Sequence, residues 1–360
     1  MTSSAVHGTG EVATAPLRVL LVDDSATVRV TLRRALEATG RVEVAGVAED
    51  GIQALQMLHA LHPDVVTLDV EMPRLGGLET LQRLMAERPT PVVMLSSHTT
   101  EGADTTIRAL ELGAVDFIEK PSFADLRAGA AGLIVEKLRA ASRARVVRAG
   151  VRTPRSTHAA PGGAWAHRIL VIGASTGGPQ AVREVLTSLP ADFGLPVVVV
   201  QHMPPTFTRS LAERLNSLGP LRVEEAEAGM RMQVGHVLLA PGGYHMEFDG
   251  ERRVVLTESP LEHGVRPAVN VTMASVAAIP AANPIGVVLT GMGRDGVRGC
   301  GLLRAAGGTI ITEAQSTCVV YGMPRAVADA GLSDEVVPLD EVAPTIIRHA
   351  RIAARRNSGG

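Results

Sequence analysis

Asp23, Asp24, Asp69 and Lys120 are residue types that could do phosphoryl chemistry together. Three carboxylates converging on one place repel each other, and a hard divalent cation with oxygen preference, magnesium above all, relieves that repulsion. A lysine and a hydroxyl beside the cluster, Lys120 and Ser96, are then placed to stabilise a phosphoryl group on one carboxylate. Singly, each has a plainer reading: Asp23 or Asp24 could cap a helix, and Lys120 could be a surface charge.

A second constellation begins at Gly173-Ala174-Ser175-Thr176-Gly177, where an apolar run enters a glycine-flanked serine and then a helical pattern. Small neighbours permit a sharp strand-to-helix turn that exposes the hydroxyl near helix amides favouring negative charge. A phosphate-binding glycine turn with Ser175 as N-cap fits the same motif equally well, so a partner base must decide. His202 ends the apolar run Val197–Val200, and Asp295 follows Val287–Leu289 in a glycine-rich loop. A histidine can take the serine proton, and an aspartate can hold the imidazole in the productive tautomer. His236, His245 and His263 lack that setting and read as surface or packing residues, with His245 a candidate for the site rim.

The elements that must position these residues follow from hydrophobic period. Apolar runs at Leu17–Val22, Val42–Val47, Val65–Leu68, Val92–Leu95 and Val115–Ile118 alternate with helical patterns such as Val28–Ala38 and Ile52–Ala60. A parallel sheet of five β/α units is the economical solution. Asp23 and Asp24 then follow the first strand, Asp69 the third, Ser96 the fourth and Lys120 the fifth, all at carboxyl ends, where open α/β sheets bind ligands. From Arg168 a second alternation starts, with strands predicted at Ile169–Ile172, Leu195–Val200, His236–Leu239, Ile285–Leu289 and Thr309–Ile311. Helices are predicted at Ala181–Ser188, Arg209–Leu218, Val269–Ala278 and Val297–Ala305, and a hairpin over Tyr244–Thr257 around Asp249-Gly250.

Length and charge agree with two units. The 360 residues exceed a typical domain. Residues 1–126 carry 10 basic and 18 acidic side chains, 127–166 carry 8 and 1, and 167–360 carry 17 and 18. The basic stretch starts as an Ala/Arg-rich helix and passes into Pro/Gly/Ser/Thr-rich linker chemistry, with no interleaved aromatics for base stacking. The near-neutral second unit carries no basic recognition helix, against a DNA-binding output. Cys300 and Cys318 are too few for a disulfide framework. Residues 1–15 lack the apolar stretch of a secretory signal, and no run reaches the roughly 18 apolar residues that span a bilayer. A cytoplasmic protein without membrane insertion is expected.

The first unit, over about residues 17–126, resembles the response-regulator receiver family. That resemblance implies Asp69 as phosphoacceptor, Asp24 and the Glu71 backbone around Mg2+ with Asp23 assisting, Ser96 and Lys120 on the phosphoryl group, and Phe117 as switching aromatic. The second unit has the chain order Ser, His, Asp, unlike the Ser, Asp, His of α/β-hydrolases. With Gly173–Gly178, Gln201–Thr208 and Thr290–Gly296 it is similar to the catalytic domain of chemotaxis protein-glutamate methylesterases, over about residues 167–350. Val297 stands where that family often has Ala. The resemblance implies Ser175 as nucleophile, His202 as base, Asp295 as orienting acid and the Met292 backbone as oxyanion donor, with no cofactor for the ester reaction. Glutamyl methyl esters on methyl-accepting chemoreceptors would be the substrate, receptor glutamines a second one, and a chemotaxis histidine kinase the phosphodonor. No nucleic-acid partner is expected.

The expected fold class is therefore α/β: a flavodoxin-like (βα)5 receiver followed by a doubly wound, mostly parallel esterase domain. The expected division is a disordered tail over 1–16, the receiver over 17–126, a basic helix and linker over 127–166, the catalytic domain over 167–352 and a flexible tail over 353–360. The resemblance further implies that the resting receiver covers the esterase cleft. A decayed, non-catalytic receptor adaptor is the rival reading, which the intact Ser175, His202 and Asp295 oppose.

Overall fold

A computed structural model of the chain describes residues 15–97, 99–127, 129–144 and 168–357. The expected N-terminal tail, up to residue 14, and the linker over 145–166 lie outside the described residues.

The first unit runs β1 (Leu17–Val22), α1 (Ala26–Glu37), β2 (Val42–Ala48), α2 (Gly51–Leu61), β3 (Val65–Asp69), α3 (Gly77–Glu87), β4 (Val92–Ser96), α4 (Thr100–Glu111), β5 (Asp116–Glu119), α5 (Phe123–Arg127) and α6 (Ala130–Ser142). The strands are fully parallel in the order β2-β1-β3-β4-β5. Helix starts carry their own caps: the Ser25, Asp50 and Thr99 side chains accept amides of α1, α2 and α4. Helix α6, read from the sequence as the start of the connector, buries Ile134, Val135, Leu138 and Ala141 against Val19, Leu21 and Leu32. Its apolar stripe is thus part of this unit's core, past the boundary expected at 126.

The second unit runs β6 (Leu170–Ala174), α7 (Gly178–Ser188), β7 (Val197–Gln201), α8 (Pro205–Leu218), β8 (Arg222–Glu225), β9 (His236–Leu239), β10 (His245–Phe248), β11 (Val254–Thr257), α9 (Val269–Ala277), β12 (Ile285–Val288), α10 (Val297–Ala305), β13 (Thr309–Glu313), α11 (Met323–Asp329), β14 (Glu335–Val337) and α12 (Leu339–Asn357). Seven parallel strands lie in the order β14-β13-β12-β6-β7-β9-β8. The expected hairpin is β10–β11, a separate antiparallel pair. The edge strands β8 and β14 were not legible in the sequence, because Arg222-Val223-Glu224-Glu225 and Glu335-Val336-Val337 are short and partly charged, as exposed edges tend to be. Helix α12 extends to Asn357, into the segment expected as a tail.

Helices α7, α8 and α12 cover one face of this sheet, and α9, α10 and α11 with the hairpin cover the other. One continuous buried apolar cluster includes Ile107 and Leu110 of α4 and Leu211 and Leu215 of α8, so the two units share a core. Among the described residues, no helix is long and apolar enough to cross a membrane.

Candidate active site

Strand order reverses at β6, which has β12 on one side and β7 on the other. Such a reversal opens a crevice beyond the carboxyl ends of the strands. Ser175 follows β6 directly at that point. Register pairs Ala174 with Gln201, and the His202 amide donates to the Ala174 carbonyl at 3.0 Å, so Ser175 and His202 leave neighbouring strand ends side by side. The turn is as tight as the motif demanded. Gly177 has φ +77°, and a Cβ there would stand 2.6 Å from Val319; a Cβ on Gly291 would stand 2.7 Å from that of Ser175.

His202 Nε2 and Asp295 Oδ2 are 2.8 Å apart, and both side chains are largely buried. With Nε2 held by the carboxylate, Nδ1 is the nitrogen left to face a substrate or Ser175. Asp295 also accepts the amides of Val269 at 2.6 Å, Asn270 at 2.9 Å and Gly296 at 2.8 Å. It therefore sits on the N-terminus of α9 in the place a capping side chain would take. Burial works to raise its pKa, but the bond to His202, the histidine's charge and the Asn270 and Val269 amides outweigh it and hold the carboxyl below its ordinary value. Asn270 completes the cradle by accepting the Gly296 and Gly299 amides at 3.0 and 2.8 Å. His245 is not a rim residue: it is fully buried, its Nδ1 accepting the Ala268 amide at 3.2 Å just ahead of α9.

The loop after β12 passes close to Ser175. Thr290 gives its amide to Glu313 at 2.8 Å, and Gly291 gives its amide to the Val320 carbonyl at 3.0 Å. Among the described residues, the Met292 amide is engaged by no hydrogen bond, which leaves it available for an oxyanion.

A second reversal, at β1 and β3 of the first sheet, gathers the acidic residues. Asp23, Asp24 and Asp69 bring ligand oxygens within 4.8 Å of one another. Lys120 Nζ lies 2.7 Å from Asp69 Oδ2 and 3.1 Å from Asp23 Oδ2. The Glu71 amide donates to Asp69 Oδ1 at 3.3 Å. Burial raises the Asp69 carboxyl to about 6 even though Lys120 lowers it, and the Asp23 charge adds to the rise. Asp23 Oδ2 is buried, with the Lys120 ammonium as its ion-pair partner. An oxygen-only donor set with surplus negative charge, two of its carboxylates buried and Asp24 open to solvent, suits Mg2+. Ser96 ends β4, but its hydroxyl is turned toward α4, 2.8 Å from Thr106 Oγ1 and 3.3 Å from the Gly102 carbonyl.

Comparison with known proteins bears on both sites. Residues 170–346 match the family model described as CheB methylesterase, and residues 19–130 match the response regulator receiver domain. A protein-glutamate methylesterase/protein-glutamine glutaminase of Symbiobacterium thermophilum is 49% identical, over 92% of this chain and 97% of its own. One of the same name from Geobacillus kaustophilus is 48% identical, over 92% of this chain and 98% of its own. The chain belongs to the CheB methylesterase family. The crystal structure of the Thermotoga maritima CheB methylesterase catalytic domain is 43% identical, covering 51% of this chain and 98% of that one, with a TM-score of 0.49.

In this CheB-family chain the receiver packs directly against the esterase crevice. Thr176, next to Ser175, donates its hydroxyl to Asp116 Oδ2 of β5 at 2.6 Å. Phe117 stacks on Phe207 of α8, with ring centroids 4.3 Å apart. Arg214 grips Glu111 at the end of α4 through two bonds of 2.8 and 2.9 Å, and the Gln180 side chain donates to the Leu110 carbonyl. Sequence reasoning missed Thr176, Asp116, Phe207 and Glu313. Glu313 was within reach of the strand-end rule, but the strand before it was read as ending at Ile311, two residues short.

Proposed function

We propose that the chain is a phosphorylation-activated serine hydrolase that removes methyl from glutamyl methyl esters on methyl-accepting chemoreceptors, and deamidates receptor glutamines as a second reaction. The observation that carries this reading is the Asp295-held His202 beside Ser175 at the strand reversal, with the Met292 amide unbonded among the described residues. The names of the relatives support both activities. A chemotaxis histidine kinase is the proposed phosphodonor and the cytoplasm the proposed location. The esterase is assigned to residues 167–352.

Ser175 Oγ attacks the ester carbonyl carbon while its proton passes to His202 Nδ1, and the oxyanion is stabilised by the Met292 amide. Collapse expels methanol, which takes the proton from His202, and leaves an acyl-enzyme. Water repeats the sequence and frees the glutamate and Ser175. A glutamine side chain follows the same course with ammonia as leaving group. Asp295 stays ionised and steadies the imidazolium.

In the receiver, an Asp69 oxygen attacks the phosphorus of the donor, whose leaving group departs, while the Lys120 ammonium balances charge on the phosphoryl oxygens. Mg2+, held by Asp23, Asp24, Asp69 and the Glu71 backbone, would supply further positive charge there. For Ser96 to reach a phosphoryl group on Asp69, its hydroxyl must leave Thr106 and Gly102 of α4. That loosens the helix carrying Leu110 and Glu111, both bonded to the esterase. Release of Phe117 from Phe207 and of Asp116 from Thr176 then uncovers the crevice.

The test is release of labelled methanol from receptor membranes, with and without a small acyl phosphate plus Mg2+. Ser175→Ala should abolish release; a Ser175→Ala protein that demethylates at the normal rate would sink the mechanism. Removal of residues 1–150 should raise the unstimulated rate, and an unchanged rate in a folded fragment would count against autoinhibition.

A further inference from the structure

Glu313 ends β13 with no exposed surface, deep beside the crevice, and the reaction as derived does not use it. Burial pushes its carboxyl above its ordinary value, although the Thr290 amide, the Thr317 hydroxyl and the Cys318 thiol pull the other way. A carboxylate kept in such surroundings is expensive, and its direct bond explains what it holds: the Thr290 amide at 2.8 Å.

Thr290 in turn brackets the nucleophile. Its carbonyl accepts the Ser175 amide at 3.0 Å, and its hydroxyl donates to the Thr176 carbonyl at 2.9 Å while accepting the Val320 amide at 2.9 Å. Two residues further on lies Met292. The same short stretch therefore fixes Ser175 on one side and leads, two residues on, to the amide proposed for its oxyanion. We infer that Glu313 is a positioning residue for the ester reaction, fixing Thr290 through its amide and, through Thr290, the relative placement of Ser175 and the Met292 amide. This inference rests on the proposed esterase reading.

The role requires an acceptor oxygen, which glutamine also offers. Glu313→Ala leaves a buried amide without a partner and lets the loop relax by a fraction of an ångström. Misplacement on that scale lowers turnover by about 10- to 100-fold. In the full-length protein, stimulated by a small acyl phosphate and Mg2+ and assayed on methyl-labelled receptor membranes, Glu313→Ala should lose kcat by that factor with KM within about twofold. Glu313→Gln should keep kcat within about threefold of the parent. The rate of Ser175 labelling by a fluorophosphonate should fall with Ala and recover with Gln. Glu313→Leu, which keeps most of the volume but offers the Thr290 amide no acceptor, should lower kcat in the same sense and keeps the test decisive if Glu313→Ala does not fold.

A folded Glu313→Ala protein with parental kcat, a loss confined to KM, or a Glu313→Gln protein as impaired as the alanine would each overturn the inference. If the parent labels at Ser175 but does not demethylate receptors, the substrate reading fails, and the labelling rates alone decide Glu313.

Discussion

Thr176 Oγ1 lies 2.6 Å from Asp116 Oδ2, so a buried carboxylate of the receiver is hydrogen-bonded to the residue that follows Ser175. Lys137 Nζ, 3.5 Å from Asp116 Oδ1, balances part of that charge from within the receiver. The bond belongs to the closed arrangement alone, because separating the units breaks it. Its strength therefore adds to the proposed block and subtracts nothing from either unit's own fold.

Removing the bond should release the block. A hydrogen bond to a charged acceptor contributes about 1.5–3 kcal/mol, and about 1.4 kcal/mol is a tenfold change in an equilibrium. Asp116→Ala should raise the unstimulated demethylation rate about tenfold and narrow the gap to the stimulated rate. An unstimulated rate equal to the parent's, in a folded protein, would show that this contact does not hold the units closed.

Divalent ions should matter to the switch and not to the hydrolysis. The oxygen cluster of Asp23, Asp24 and Asp69 lies wholly in the receiver, whereas the proton transfer proposed at Ser175 runs through His202 and Asp295. Treatment with EDTA should abolish stimulation by an acyl phosphate, as Asp69→Asn should, and leave the unstimulated rate unchanged. A fall in the unstimulated rate on chelation would reject this separation of roles.

Acid should weaken the esterase domain partly through Asp295. Its carboxyl lies below the ordinary 3.8 because His202 and the α9 amides favour the charged form against burial. A depressed acid contributes stability that is fully present above its unfolded value and is lost as pH falls through its folded value. Asp295→Asn should therefore lower stability at pH 7 by roughly 1–3 kcal/mol, with the difference shrinking below about pH 3.8. Urea midpoints of parent and variant at pH 7, 5 and 3 measure this. A difference of the same size at all three values would mean that the charge of Asp295 contributes nothing.

Much of the fold was legible in the chain because the interior strands of the two parallel sheets, such as β3, β4, β6, β7 and β12, are buried on both faces and read as apolar runs. Edge strands β8 and β14 escaped for the opposite reason, since half-exposed strands carry charge. Helix α6 was misassigned to the connector: its stripe of Ile134, Val135 and Leu138 is apolar, but composition cannot tell which core receives it.

The sequence by itself determined the chemistry each site can hold. Asp23, Asp24, Asp69 and Lys120, like Ser175, His202 and Asp295, stand at strand ends, and parallel topology carries such residues to one edge of a sheet without help from side-chain packing. Only the tertiary structure decided how they are used. It put Nε2 of His202 on Asp295, turned the Ser96 hydroxyl toward α4, engaged the Thr290 amide with Glu313 and laid Asp116 and Phe117 on Thr176 and Phe207. Those relationships join residues far apart in the chain, through packing between whole layers, and no local pattern of residue types encodes them.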